Sequence, residues 1–268
     1  MKFTDLCGPL GSSNDTPWLD RNLTADMAKW KSDGVLDLKS FLPDKLIDGY
    51  RSVRDKVNEP GGWRHPTPYM EHKEILDICL YPPLAKIMSE LIGHPMGLHL
   101  NLTGYVSTER RWHQDDYLNP THVNGNYMSV WMALDDIDPS SGPFQYVRGS
   151  HTWPRMTREA IFNNAPKDML DEHRWPSLTQ DLVGDACEQE INQRNAQVTS
   201  YLPKKGDVLL WHARLMHQGS KPSVPGTPRL ALIAHYSSIQ HRPDMPPPVP
   251  YSGGYYFPIT TLNKGTTK

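Results

Sequence analysis

The chain has 268 residues, of which 37% are apolar and 22% charged, so it can bury a sizeable core and is not built for disorder. Lys plus Arg total 28 against 30 for Asp plus Glu, and a formal charge of -2 gives no long-range attraction to nucleic acid or to an anionic membrane. Cys7, Cys79 and Cys187 match no zinc or redox pairing, and no window has the apolar stretch of a signal peptide or the roughly 18 residues of a membrane span. The expectation is one soluble, cytoplasmic domain with reduced thiols and a small-molecule partner.

Residues 1–33 are polar and punctuated by Gly, Pro, Asn and Asp, and they read as a lead-in arm. A helical buttress follows over 34–96. Pro43, Asp44 and Lys45 suit a first helical turn, running to about Val57; a second helix covers Glu71 to Leu80. Pro83 opens a third, with Leu84, Ile87, Met88, Leu91 and Ile92 at helical spacing and Gly93 as its stop. After Gly97 the period becomes two. Leu98, Leu100 and Leu102 alternate with His99, Asn101 and Thr103, which predicts a strand with its leucines against the helices and its polar residues in a lined interior. Further strands are expected at Tyr127 to Leu134, Phe144 to Val147, Val208 to Trp211 and Leu230 to Tyr236. Residues 97–240 thus form a mostly β core, interrupted over about 153–200 by an insertion with short helices at Met156 to Asn163 and Lys167 to Glu172. The tail, 241–268, is rich in Pro, Gly and Tyr and is expected to be irregular.

His113 and Asp115 are two apart, so in extended chain one imidazole and one carboxylate project to the same side while Gln114 points away. About a hundred residues later, GDVLLWHARLMHQGS carries a turn, an apolar strand and His217, and Arg229 follows by twelve. Two imidazoles and one carboxylate on one face of a metal leave three positions open, the arrangement used for ferrous oxygen chemistry. H-x-D by itself is weak, because hydrogen-bonded His and Asp neighbours are common.

The order of these elements is a stronger signal. WHQDD at Trp112 to Asp116, SVWMALDDIDPSSGPFQYVRGSH from Ser129 to His151, GDVLLWHARLMHQGS from Gly206 to Ser220 and TPRLALIAHYS from Thr227 to Ser237 together resemble the phytanoyl-CoA dioxygenase family of iron(II)- and 2-oxoglutarate-dependent oxygenases. The resemblance runs from about Gly34 to Tyr236. It implies a double-stranded β-helix, or jelly roll, with helices packed on one sheet. It also implies Fe(II), with 2-oxoglutarate and O2 as co-substrates, and hydroxylation of a C–H bond with release of succinate and CO2.

Residue by residue, His113, Asp115 and His217 take the family's metal positions. His212 competes for the third, but its strand parity puts it with Val208 and Leu210, as a structural histidine. Arg229 matches the arginine that grips the distal carboxylate of 2-oxoglutarate, a task suited to a planar guanidinium. Ser220 is a candidate for the same carboxylate, and His99, Asn101 and Thr103 for the polar lining of the pocket. Because Asp115 is present, hydroxylation is expected over halogenation, which needs that carboxylate replaced by Gly or Ala. Arg110 and Arg111 read as a solvated loop, Asp135 and Asp136 as a turn, His151 as structural, and Trp131, Trp153 and Trp211 as core. A compact polar metabolite is the expected substrate. The alternatives are a bulky natural product, an acyl-CoA, or a jelly-roll protein that only binds.

Overall fold

The computed structural model describes residues 1–8, 24–57, 62–63 and 65–259. Its main sheet is organised by alternation. In β3 (Tyr127–Ala133) and β8 (Ala231–Ser238), the even positions Met128, Val130, Met132, Leu232, Ala234 and Tyr236 join one core, while Trp131, Ala133 and Ala231 join another on the opposite face. β6 (Val208–His212) obeys the same rule, with Val208 and Leu210 on the first side and Leu209 and Trp211 on the second.

With β1 (Val35–Leu38), β2 (Met96–Thr103), β9 (Val249–Tyr251) and β10 (Gly254–Tyr256), these strands form seven in the order β1-β6-β3-β8-β2-β10-β9. A second sheet, β5 (Val198–Tyr201), β4 (Phe144–Val147) and β7 (His217–Gly219), packs Phe144, Tyr146 and Tyr201 against Trp131, Leu209 and Trp211. This is the expected two-layered jelly roll, open rather than closed into a barrel.

Helices cover the outer face: α1 (Ala25–Asp33), α2 (Asp44–Arg54), α3 (Lys73–Cys79) and α4 (Pro82–Ile92). α4 begins with Pro at its first turn and ends on Gly93 at φ 88°, a left-handed conformation that glycine adopts without steric cost. Its Leu84, Met88, Leu91 and Ile92 are buried, each such side chain contributing about 1.5–3 kcal/mol. No described helix is long and apolar enough to cross a membrane.

Three expectations about organisation need correction. The lead-in arm contains α1, whose Trp30 is buried in the core, and Phe3 and Leu6 are buried in a separate cluster; residues 9–23 lie outside the described residues. The buttress begins with a strand, β1, which four residues of mixed polarity could not announce because its pairing with β6 is what defines it. The insertion holds α5 (Arg158–Asn164), α6 (Trp175–Leu178) and a long α7 (Gln180–Gln193), whereas residues 167–169 make only a 3-10 turn. Val183, Ala186, Cys187 and Ile191 of α7 are buried, a helical spacing hidden among charged and amide residues.

The tail is also regular where expected to be irregular. β10 pairs in parallel with β2, and Phe257 is fully buried with the Tyr69 hydroxyl donating to its carbonyl at 2.8 Å. Gly97 permits this, since a Cβ there would lie 2.5 Å from the Phe257 ring. Phe257→Ala should therefore destabilise the protein by about 3–5 kcal/mol, read as a lower urea midpoint at unchanged slope. A midpoint equal to wild type would show that the tail only rests on the surface.

Candidate metal centre

Main-chain hydrogen bonds bring the distant halves of the site together. His113 and His217 exchange both N–H to carbonyl bonds at 3.0 Å, and the amides of Asp115 and Asp116 both donate to the Ala213 carbonyl at 2.7 and 2.9 Å. The loop after β2 is thereby stapled to the segment after β6. Asp115 has helical backbone angles, φ -84° and ψ -24°, so the chain turns after His113 and carries the carboxylate back towards the imidazoles. The Asp115 Oδ1 lies 3.5 Å from His113 Nε2 and 3.6 Å from His217 Nε2, with all three side chains buried.

The protons around this cluster follow from its partners. His113 Nδ1 lies 2.7 Å from the Arg111 carbonyl and His217 Nδ1 lies 2.9 Å from the Leu215 carbonyl. A carbonyl only accepts, so each Nδ1 carries the proton and each Nε2 presents a lone pair. Burial and the neighbouring His113 bring the His217 imidazole down to about 3, leaving it neutral at ordinary pH. Burial by itself would raise the Asp115 carboxyl, but its place in this hydrogen-bonded cluster holds it well below the usual carboxylate range. Its Oδ2 accepts from Ser129 Oγ and Trp211 Nε1, both at 3.1 Å, so Oδ1 faces the histidines. Two imidazole nitrogens and one ionised oxygen converge with their outer atoms already bonded, and this donor set suits a divalent ion such as Fe(II).

The triad lies in the wall of a cavity of about 550 Å³ whose lining also includes Arg229. Arg229 is buried and donates to the Gly142 carbonyl at 2.6 Å. Burial brings its guanidinium down to about 10, so it stays charged, and among the described residues no carboxylate pairs with it. A buried cation with only neutral protein partners is costly until an anion arrives.

Other expected pocket residues fall elsewhere. Ser220 donates to the Pro143 carbonyl at 2.7 Å and lies outside the cavity lining. β2 has a bulge between Leu98 and Leu100, opposite Tyr236 and His235, which reverses its alternation. His99 consequently lines the cavity together with Leu100 and Leu102. Asn101 and Thr103 turn away from it, with Asn101 Nδ2 3.4 Å from Cys79 Sγ and Thr103 donating to the Ala231 carbonyl. His212 sits on the helical side, its ring 5.8 Å from that of Trp30 and 5.4 Å from that of His151. Gln114 points away from the triad, as expected, and accepts from the Met156 amide.

His235 joins the site without having been expected there. Its Nδ1 contacts the hydroxyls of Tyr127 and Ser129, and Ser129 passes the chain on to Asp115. The signal was present, since Arg229, Ala231, Ile233 and His235 share one parity and all but Ala231 line the cavity. Trp211, read as core, also holds the Asp115 carboxylate. Ser129→Ala should weaken ferrous-iron affinity by roughly 10–100-fold, as expected for loss of a contact that orients a ligand. A titration indistinguishable from wild type would show that Trp211 suffices.

Against known structures, the chain is similar to the epimerase SnoN crystallised with Fe3+, alpha-ketoglutarate and nogalamycin RO, at 17% identity and a TM-score of 0.62 over 87% of this chain and 97% of that one. It is similar to EctD from S. alaskensis, crystallised with 2-oxoglutarate and 5-hydroxyectoine, at 17% identity and a TM-score of 0.54 over 84% and 82%. HygX from Streptomyces hygroscopicus, with nickel and 2-oxoglutarate bound, has 16% identity and a TM-score of 0.54 over 81% and 88%. These likenesses speak to the fold. A search of curated proteins finds no match. The family model for phytanoyl-CoA dioxygenase (PhyH) matches residues 49–223, about two thirds of the chain and all three members of the triad, and the chain belongs to that family.

Proposed function

We propose that this protein oxidises a C–H bond of a small metabolite, with Fe(II) held by His113, Asp115 and His217 and with 2-oxoglutarate bound through its distal carboxylate to Arg229. Fe(II) with 2-oxoglutarate and O2 supplies an oxidation strong enough for an unactivated C–H bond, the co-substrate leaving as succinate and CO2. The observation that carries the reading is the pairing of a pre-oriented donor triad with a buried, charged arginine in one cavity.

The protein's own groups have defined tasks in this reading. The Arg111 and Leu215 carbonyls hold the imidazole tautomers, and Ser129 and Trp211 hold the carboxylate, so the metal meets ligands that need no rearrangement. Arg229, fastened by the Gly142 carbonyl, presents a fixed fork to a carboxylate. Trp131, Phe144, Ile233 and Leu100 line the cavity with apolar surface that excludes water. The carboxylate ligand favours hydroxylation over halogenation. The test is anaerobic loading with Fe(II) and 2-oxoglutarate, followed by exposure to O2 with a panel of metabolites. Succinate formation and a product heavier by one oxygen are expected; no succinate with or without any metabolite would leave the protein a binding module.

A further inference from the structure

The sequence places Arg110 and Arg111 side by side, and the fold separates them. Arg111 reaches the exposed face of α7, where its guanidinium meets Asp181, Asp185 and Glu188 at 2.6–3.6 Å. Arg110 turns inward and lines the same cavity as the triad. Its Nη1 donates to Gln180 Oε1 at 2.7 Å and to the Pro176 carbonyl at 3.2 Å, both neutral acceptors from the α6–α7 insertion. Among the described residues no carboxylate lies within ion-pair distance of it, and the only acid in the cavity wall is Asp115.

Charge accounting then points to the substrate, on the footing of the function proposed above. Fe(II) brings two positive charges and Arg229 one; Asp115 brings one negative charge and 2-oxoglutarate two. That set sums to zero and leaves the Arg110 cation unmatched in a wall that mixes neutral polar groups with apolar side chains such as Leu100, Leu118, Trp131, Phe144 and Ile233. Arg110 is half-buried, and a cation without an anionic partner in the wall of a cavity favours ligands that bring a negative charge to it.

We propose that Arg110, braced by Gln180 and Pro176, is the receptor for a carboxylate on the primary substrate, and that the insertion is therefore a specificity element. The substrate class is a carboxylic acid with a compact, largely apolar body, the body lying against Leu100, Leu118 and Ile233. A planar guanidinium held at one nitrogen keeps its remaining N–H groups aligned for the two oxygens of such a group.

The experiment uses the full chain loaded anaerobically with Fe(II) and 2-oxoglutarate and follows the absorption band of that complex. The probes are matched pairs of small carboxylic acids and their primary amides. At least one acid should perturb the band with an affinity tenfold or more above that of its amide. Arg110→Gln should abolish that preference while 2-oxoglutarate still forms the band at the wild-type midpoint. Arg110→Lys, which keeps the charge, should restore part of the preference. The proposal is overturned if no acid outperforms its amide, if Arg110→Gln keeps the preference, if Lys behaves like Gln, or if Arg110→Gln loses 2-oxoglutarate binding instead. Failure of the wild-type protein to form the band at all would overturn the metal and co-substrate reading, and this inference with it.

Discussion

His217→Ala should abolish turnover and lower ferrous-iron affinity by well over the roughly 100-fold that loss of a merely supporting contact costs. Three anchors define one face of the metal, and with two the ion is neither held nor oriented. His212→Ala is the internal control, because both histidines are buried and lie five residues apart in one segment. His212 faces Trp30 and His151, and its Nδ1 accepts from the Arg214 amide at 3.1 Å. Removing it strands that amide and should cost about 1–3 kcal/mol of stability with iron affinity nearly intact. Iron titration and thermal melting on both variants decide the assignment: iron lost from His212→Ala and retained by His217→Ala would make His212 the ligand.

Arg229→Ala should raise the Michaelis constant for 2-oxoglutarate by tens to thousands of fold, corresponding to roughly 2–5 kcal/mol for truncating one partner of a buried charge pair. Iron binding should change far less, since Arg229 hydrogen-bonds to Gly142, Gly104 and Ser107 and to no member of the triad. Arg229→Lys keeps the charge but loses the fork, so an intermediate constant is expected. Succinate release as a function of 2-oxoglutarate concentration measures both variants, and a parallel melt separates weakened binding from loss of the contacts to Gly142 and Gly104. An unchanged response in Arg229→Ala would remove this residue from co-substrate binding.

Both predictions rest on features that are partly legible in the sequence. The H-x-D pair, a histidine beyond an apolar strand and an arginine twelve residues on are spacings within or beside single elements. Period-two patterning likewise assigns His212 to the helical side, because β6 runs without a bulge and parity survives along it.

Where parity does not survive, sequence periodicity misplaces the side chains. His99, Asn101 and Thr103 share one face only if β2 is regular. The bulge arises from its register against β8, a relation between residues far apart in the chain, and it moves Asn101 and Thr103 out of the cavity. Arg110 and Arg111 look equivalent as a charged pair, and only the position of α7 gives one of them three acids and leaves the other in the cavity wall. The tail becomes strand because the free edge of β2 pairs with its backbone and Gly97 leaves room for Phe257.

By itself, then, the sequence determined the chemistry on offer: the donor types, the alternation that sorts each regular strand into two faces, and the family to which they belong. The tertiary structure decided which donors converge and which cations stay unpaired. Those properties are set by cross-strand register and by packing between segments about a hundred residues apart, and no local pattern encodes either.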